Sequence, residues 1–421
     1  MHTELIAVGS ELLNAGRIDT NSMWIADRLA ELGLELRLKS CVGDDSATLK
    51  TCIINALERS DLIITTGGLG PTFDDQTKEA FAEVIGVPMF EDPQIRSDIE
   101  SFFIARGRCA PECNYKQALI PKGATAIPNP LGTAPGVYWQ NPPSYSNRRI
   151  VMLPGVPREM MGLWTGDIHS RLSGLAKKTI STLRLVVSGV GESALDERTK
   201  HIRERYKHLD WTILAPRTHV EFLVRSTSHE QLEAVQIDMN AELGADLVCI
   251  GNGRPESVVL DMLKTHSETL AIAESVTGGI LASRIIDVPG ASSALLGGVV
   301  AYTPKAKAEL VGVPVNFINS HGTVGEAITM EMAARIKERM STDWGLAVTG
   351  NAGPTVDKNA LNQDDCNKIG RCYIAVADTA SVKCQAHDIH GDRADIQFRA
   401  ANWAIDMLRR NILKKHIPGG S

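Results

Sequence analysis

The sequence predicts an α/β protein of two or three domains, and three observations carry that prediction. The chain has 421 residues, against roughly 150 for an ordinary domain. Over residues 1–85, short apolar runs alternate with segments of helical periodicity. This is the rhythm of a doubly wound, largely parallel sheet. Aromatic residues make up only 5% while glycine numbers 36, a balance that suits many tight strand-to-helix turns better than an aromatic-rich sandwich.

Taken in order, Glu4 to Val8 is a short apolar strand that ends in a Gly9-Ser10 turn. Asn21 to Leu34 spaces its apolar residues as a helix, with Asn21 or Ser22 as N-cap and Gly33 near its end. Leu36 to Val42 reads as a strand, Ala47 to Ser60 as a helix, and Asp61 to Thr66 as an apolar strand running into Gly67-Gly68-Leu69-Gly70-Pro71. Thr77 to Ile85 begins the next helix, 122–136 is turn-rich, and Arg149 to Leu153 is a strand. The character then changes. Thr182 to Val190 and Val220 to Ser226 read as strands, Ser193 to Tyr206 and Glu230 to Leu243 as helices, a small α+β module without a chemical cluster. Arg254 to His266 begins a helix, Ala271 to Ala273 ends a strand, and Asp392 to Leu413 is a closing helix. The expected boundaries are 1–168, 169–252 and 253–421.

Composition narrows the function. Hydrophobic residues are 43% and charged residues 22%, so the chain can bury cores and is neither disordered nor collagen-like. The formal net charge is −6, a poor match for a general nucleic-acid binder, which needs a basic face. Local anion sites at glycine loops and helix starts remain open. The N-terminus MHTELIAVGSELL has no basic region followed by an apolar stretch, and no 18-residue apolar run occurs. Neither a signal peptide nor a membrane span is therefore expected. The eight cysteines form no C-x-x-C and no zinc-type cluster. Free thiols in a reducing cytoplasm are expected, with Cys109–Cys113 and Cys366–Cys372 the closest pairs.

Two constellations carry chemistry. The first is Thr65-Thr66-Gly67-Gly68-Leu69-Gly70-Pro71-Thr72-Phe73-Asp74-Asp75. Glycines after a strand let backbone N–H groups approach an anion. Paired carboxylates suit a hard divalent ion bridging to phosphate. A tight turn with Asp74 or Asp75 as helix cap is the equal alternative.

Gly9-Ser10-Glu11-Leu12-Leu13, Gly16-Arg17-Ile18-Asp19-Thr20-Asn21, Asn114-Tyr115-Lys116-Gln117-Ala118, 129–136 and Leu153-Pro154-Gly155-Val156-Pro157-Arg158-Glu159-Met160 accompany that loop. Together, across most of 1–165, they resemble the CinA family, whose first domain is similar to molybdopterin-binding proteins. The resemblance implies a divalent-metal-dependent ADP-ribose pyrophosphatase on a molybdopterin-binding-like fold. Asp74 and Asp75 would then be the metal carboxylates, and Gly67, Gly68 and Gly70 would cradle the pyrophosphate. Glu11, Asp19 and Asn21 would complete the pocket. Lys116 would offset phosphate charge, an ordinary surface lysine being the alternative.

The second constellation is Glu274-Ser275-Val276-Thr277-Gly278-Gly279, a strand-to-helix turn that presents a serine hydroxyl at the sheet edge. Read alone, it suits a capping Ser or Thr before an ordinary helix better than a nucleophile. Lys307 lies 32 residues on, within Tyr302-Thr303-Pro304-Lys305-Ala306-Lys307, and a desolvated lysine can serve a serine as base. The motifs 287–293, 297–302, 311–313, His321-Gly322-Thr323-Val324 and Val348-Thr349-Gly350-Asn351-Ala352-Gly353-Pro354 follow in the order of the CinA C-terminal domain. That domain is similar to nicotinamide mononucleotide amidohydrolase.

This resemblance covers about 255–415 and implies deamidation of nicotinamide mononucleotide. Ser275 would be the nucleophile, Lys307 the base, and Tyr302 its orienting or relay partner. N–H groups near Thr277, Gly278 and Gly279 would bind the oxyanion or phosphate. Thr349, Gly350 and Gly353 would line the opposite wall, and Arg393 is a phosphate or subunit-contact candidate. Thr355-Val356-Asp357-Lys358 and a longer link to Gly370 depart from the family pattern, as do Val276, Thr323 and Gln397. These departures put substrate affinity in question more than the Ser/Tyr/Lys set.

The resulting expectation is two three-layer α/β domains, molybdopterin-binding-like and CinA C-terminal-like, joined by the α+β module. In relatives that module resembles a KH fold and serves as connector or dimerisation element. A bifunctional hydrolase of pyridine nucleotides follows, with Mg²⁺, Mn²⁺ or Co²⁺ in the first domain and no cofactor in the last. Nicotinamide mononucleotide and ADP-ribose are its expected partners, with no nucleic acid, no membrane, a homodimeric state and a cytoplasmic location. One live domain, or a first domain that only binds a pterin or nucleotide, is the alternative.

Overall fold

The structure is a computed structural model, and it describes residues 1–14, 17–176, 181–355 and 368–416. The chain divides into two compact units, Met1–Ser181 and Thr182–Ser421.

The first unit is built on a six-stranded sheet of order β2-β1-β3-β8-β7-β6. Its strands are β1 (Thr3–Val8), β2 (Leu36–Val42), β3 (Leu62–Thr66), β6 (Thr125–Ile127), β7 (Gly136–Gln140) and β8 (Arg149–Leu153). A separate antiparallel ribbon pairs β4 (Met89–Glu91) with β5 (Leu119–Pro121). Strands β2, β1, β3 and β8 run parallel, and β7 runs antiparallel to both of its neighbours, β8 and β6. Alternate residues of a strand point to opposite faces, and here both faces are covered. Leu5, Leu62, Ile64, Val151 and Leu153 pack with Ile25 and Leu29 of α1 (Thr20–Glu31) and with Trp164. Ile6, Val8, Ile63, Ile150 and Met152 pack with Leu49 and Ile53 of α2 (Ser46–Arg59) and Phe81 of α3 (Thr77–Ile85). Double coverage explains why the central strands read as unbroken apolar runs. Helices α4 (Pro93–Ile104) and α5 (Pro157–Leu163) complete the layers. Leu172 still belongs to this core, so the unit runs past residue 168. The carboxyl ends of β1, β3 and β8 converge, and Gly67 donates its N–H to Leu153 O at 2.9 Å.

The second unit holds two sheets. The smaller has the order β10-β11-β9-β12, from β9 (Ser181–Val187), β10 (Asp210–Leu214), β11 (Val220–Ser226) and β12 (Leu247–Ile250). Helices α6 (Glu192–Arg205) and α7 (His229–Leu243) pack on it through Leu195, Ile202, Leu232, Val235 and Met239. Strand β9 stops three residues before the expected 190, because Gly189 turns left-handed at φ +80°. The sequence reading missed β10 and β12, whose half-exposed residues carry a weak alternating signal.

The larger sheet has the order β14-β13-β15-β16-β17. Strands β13 (Leu270–Glu274), β14 (Leu295–Val300) and β15 (Trp344–Gly350) run parallel, while β16 (Arg371–Ala377) runs antiparallel to both of its neighbours, β15 and β17 (Val382–Asp388). One face packs on α8 (Pro255–Thr265), α9 (Ile280–Ile286) and the long helix ending the described chain. The other packs on α10 (Val315–His321) and α11 (Glu326–Met340). The long helix, α12 (Arg393–His416), also ties the two sheets of this unit together. Its buried Arg409 pairs with Asp406 at 2.8 Å and reaches Ala245 O at 2.5 Å, and Arg410 pairs with Asp246 at 2.7 Å. Among the described residues, no helix is long and apolar enough to cross a membrane.

Candidate functional sites

Strand β13 ends at Glu274, and Ser275 begins the turn into α9. Lys307 arrives from the far side of β14. Thr303 caps a single turn over Pro304–Ala306 by accepting from Ala306 N, and Lys307 opens a π-helical turn after it. Such turns recur at functional sites because the extra residue redirects a side chain. Lys307 Nζ donates to Ser275 Oγ at 2.9 Å and to Ala301 O at 2.8 Å. Both side chains are buried, with Lys307 1% and Ser275 6% exposed. Lys305 stays in solvent, 3.8 Å from Glu309. Only tertiary placement separates the two lysines.

The pair opens onto a cavity of about 650 Å³ lined also by Tyr302, Gly350, Asn351, Gly353 and Arg393. Arg393 spans its rim, donating to Gly353 O at 2.7 Å and to the Tyr302 hydroxyl at 2.9 Å. Tyr302 therefore meets Arg393 rather than Lys307, and it is 58% exposed. Thr349 lies behind the wall, where its hydroxyl bonds Thr329 at 2.6 Å. Gly350 admits no side chain, since a Cβ there would sit 2.6 Å from Cys372 Sγ. Thr277, Gly278 and Gly279 do not line the cavity. Gly278 N donates to Ser275 O and Gly279 N to the Glu274 carboxylate, so neither N–H is directed at a ligand. Glu274, Asn351 and Thr323 were missed as site residues. For Glu274 the signal was present: a lone carboxylate ending a fully buried strand. Of the loop departures, Thr355 lines the cavity, whereas 356–367 lie outside the described residues.

In the first unit, the glycine loop follows β3. Gly67 sits at φ +103°, where a Cβ would be 2.1 Å from Val8 O. Gly68 at φ +68° leaves the same room for Thr77 Oγ1, which donates to Gly67 O at 2.9 Å. Asn21 joins this corner, donating from Nδ2 to Thr66 Oγ1 at 3.0 Å and Gly155 O at 2.8 Å. Its Oδ1 is buried and finds no partner among the described residues. Asp19 instead caps α1 by accepting from Ser22 N, and Lys39 pairs with it at 2.9 Å. Burial pushes the Asp19 carboxyl up, but the bonds from Ser22 and Lys39 outweigh it and leave it below the ordinary range. Glu11 is exposed on a one-turn helix and folds over Gly9.

Asp74 and Asp75 converge on one hydroxyl. Thr72 Oγ1 contacts Asp74 Oδ1 and lies 2.5 Å from Asp75 Oδ2. One hydroxyl carries one proton and serves only one carboxylate at a time. The Thr72 bond holds the Asp74 carboxyl below its usual range. Gly70 makes room for Asp75, since a Cβ there would be 2.4 Å from its Oδ2. Lys116 braces the loop by donating to the carbonyls of Thr72 (3.1 Å) and Asp75. No group of three or more His, Cys, Asp or Glu suited to a metal occurs among the described residues. Two convergent carboxylates fit an ion of the Mg²⁺ kind, which keeps water and takes substrate phosphates as further ligands. They do not form an all-protein cage.

Two further groups of this unit were not foreseen. Lys78 is 2% exposed and donates to Gln117 O at 2.7 Å, and burial pushes its ammonium down to about 8. Glu159 accepts from Asn129 at 2.7 Å, and burial raises its carboxyl despite that bond. The described cysteines, Cys109 and Cys113 among them, are free thiols, and Cys366 lies outside the described residues.

A two-domain protein with a serine–lysine cavity in one unit and a glycine–aspartate loop in the other is the class these sites define. Residues 253–412 match the family model "CinA C-terminal domain", and residues 4–173 match "Probable molybdopterin binding domain". A CinA-like protein of Koribacter versatilis is 36% identical over 98% of this chain and 100% of its own length. One of Nostoc punctiforme is 36% identical over 99% and 100%. The chain belongs to the CinA family. Among solved structures, the protein CinA of unknown function from Thermoplasma acidophilum is 34% identical, covering 41% of this chain and 97% of that one, with a TM-score of 0.37.

Proposed function

We propose that the protein is a bifunctional hydrolase of pyridine nucleotides, deamidating nicotinamide mononucleotide in its last domain and hydrolysing ADP-ribose in its first. The observation that carries the first activity is the buried 2.9 Å contact from Lys307 Nζ to Ser275 Oγ at the cavity wall. Ser275 Oγ attacks the carboxamide carbon while the Lys307 amine takes its proton. The C–N bond then breaks, and Lys307 returns that proton to the leaving nitrogen as ammonia departs. Water gives a proton to Lys307 as it attacks the acyl-serine, and Lys307 passes that proton to Ser275 Oγ as nicotinate mononucleotide leaves. Ala301 O keeps the amine on Ser275, and Arg393 offers its guanidinium to the substrate phosphate at the rim. Exchange of its Tyr302 and Gly353 bonds for phosphate oxygens frees the cavity mouth.

In the first domain, Asp74 and Asp75 would hold a divalent ion, which when bound supplies charge neutralisation at the pyrophosphate. Gly67 and Gly68 give their side-chain space to Val8 O and Thr77 Oγ1 and so shape the turn before the aspartates, and Lys116 holds the aspartate loop in place. A non-catalytic pterin or nucleotide binder is the second reading of this domain. It is favoured by Lys116, whose ammonium is spent on the carbonyls of Thr72 and Asp75.

Ammonia release from nicotinamide mononucleotide by the purified protein tests the first activity. It should disappear in Ser275→Ala and Lys307→Ala; a normal rate in Ser275→Ala sinks the nucleophile. Metal-dependent AMP release from ADP-ribose should collapse in Asp74→Ala or Asp75→Ala and survive Ser275→Ala. Absence of AMP with Mg²⁺, Mn²⁺ and Co²⁺ alike would leave the binding reading.

A further inference from the structure

We infer that Glu274 is a positioning residue for the Ser275 nucleophile, holding the turn so that the N–H group of Val276 becomes its oxyanion donor. The inference rests on the deamidase reading of the last domain. Glu274 closes β13 with its carboxylate 1% exposed. Its Oε2 accepts from Gly279 N at 3.0 Å and Leu281 N at 3.1 Å, and its Oε1 accepts from Ala282 N at 2.9 Å. Three backbone donors satisfy one buried carboxylate, so that carboxylate needs no counter-ion and the start of α9 is closed to a ligand anion.

The donors of the turn can be followed one by one. Ser275 N donates to Val348 O at 3.0 Å, Gly278 N to Ser275 O at 3.2 Å, and Gly279 N to Glu274. Among the described residues, Val276 N and Thr277 N donate to no protein acceptor. Val276 lines the cavity beside Ser275. The N–H that follows a nucleophile on a strand–turn–helix elbow is where the oxyanion of acyl transfer is held. Left-handed Gly278 (φ +60°) and Gly279 (φ +102°) fold the chain back far enough for the carboxylate to reach it.

The same residue also sets the base. Glu274 O accepts from Ala301 N at 2.7 Å, and Ala301 O accepts from Lys307 Nζ at 2.8 Å. Nucleophile, oxyanion donor and base are thus referenced to one strand end. A carboxylate serving only as a helix cap would alter stability and leave the chemistry of the folded enzyme intact.

The test compares wild type, Glu274→Gln and Glu274→Asp in two assays, with folding checked by circular dichroism. One assay is ammonia release from nicotinamide mononucleotide. The other is labelling of Ser275 by an alkyl fluorophosphonate, in which Ser275 Oγ bonds to phosphorus, fluoride leaves, and Lys307 takes the proton. The adduct places an oxygen at the same donor without any nucleotide. Gln keeps the size but sets an amide N–H against backbone N–H groups. It should lower kcat and the labelling rate together by roughly 10- to 100-fold, with KM changed by less than about threefold. Asp keeps the charge, one methylene short, and should fall between Gln and wild type. If Gln does not fold, the Asp variant carries the comparison. Folded variants with wild-type kcat and labelling, or with the whole loss in KM, overturn the inference. A wild type that labels at Ser275 yet releases no ammonia removes the deamidase reading, and the labelling comparison still decides the role of Glu274. A wild type that does neither overturns both.

Discussion

Lys78 carries a charge that folding makes costly, and its replacement by methionine has a calculable pH signature. The ammonium is 2% exposed, and its hydrogen bonds run to Gln117 O at 2.7 Å and Lys116 O at 3.4 Å. Burial pushes it down from 10.5 to about 8; Glu79 and Asp75 oppose this and Lys116 adds to it. At 1.36 kcal/mol per pH unit, that difference amounts to about 3 kcal/mol. Below pH 8 Lys78 is protonated in both the folded and the unfolded chain, and the burial penalty is constant. Between pH 8 and 10.5 the folded chain has released a proton that the unfolded chain still binds, so stability rises with pH. Above 10.5 the gain is complete. Lys78→Met abolishes this titration and leaves every other group in place. Urea unfolding of both proteins, read by hydrogen exchange in the first unit, should show wild type gaining on the variant. The gain should be about 1.4 kcal/mol per pH unit across that window, with a constant difference below it. A stability difference that is flat from pH 7.5 to 10.5 refutes the desolvated placement of Lys78.

Other outcomes follow from single contacts. Gly70→Ala puts a methyl 2.4 Å from Asp75 Oδ2 and should cut metal-dependent AMP release by roughly 10- to 100-fold, because small displacements of a site are amplified in rate; an unchanged rate would show that Asp75 is not needed where it stands. Arg409→Ala leaves the 2% exposed Asp406 with Arg410 alone and strips donors from Ala245 O and Leu247 O. A loss of about 3–5 kcal/mol of stability is expected by calorimetry or denaturant melt, and a loss under 1 kcal/mol would show the pair is not structural. Cys372 is buried, and burial pushes its thiol up to about 12. Iodoacetamide at pH 8 should modify the exposed Cys109 and Cys113 first and Cys372 only in denaturant, as read by peptide mass mapping.

Local patterns fixed much of this molecule before any tertiary contact was known. The central strands β1, β3, β8 and β13 are fully or almost fully buried, and a strand covered on both faces is mostly apolar, buried exceptions such as Glu4 and Glu274 being held by hydrogen bonds, so their runs are visible in the sequence. The glycines after β3 announced a close approach of backbones for the same reason: Gly67 has no room for a Cβ beside Val8 O. Strands β10 and β12 escaped, because half-exposed residues lose that signature. Which groups act together was left to the tertiary structure. Ser275 and Lys307 are 32 residues apart and meet only because the π-helical turn aims Lys307, and not Lys305, behind β14. The N–H groups of Gly278 and Gly279 looked available in the sequence and are not, since the turn gives the first to Ser275 O and Glu274 folds forward to take the second. Spacing along the chain constrains each residue's own backbone and face, whereas the assignment of donors to acceptors depends on distances between elements, and packing alone sets those.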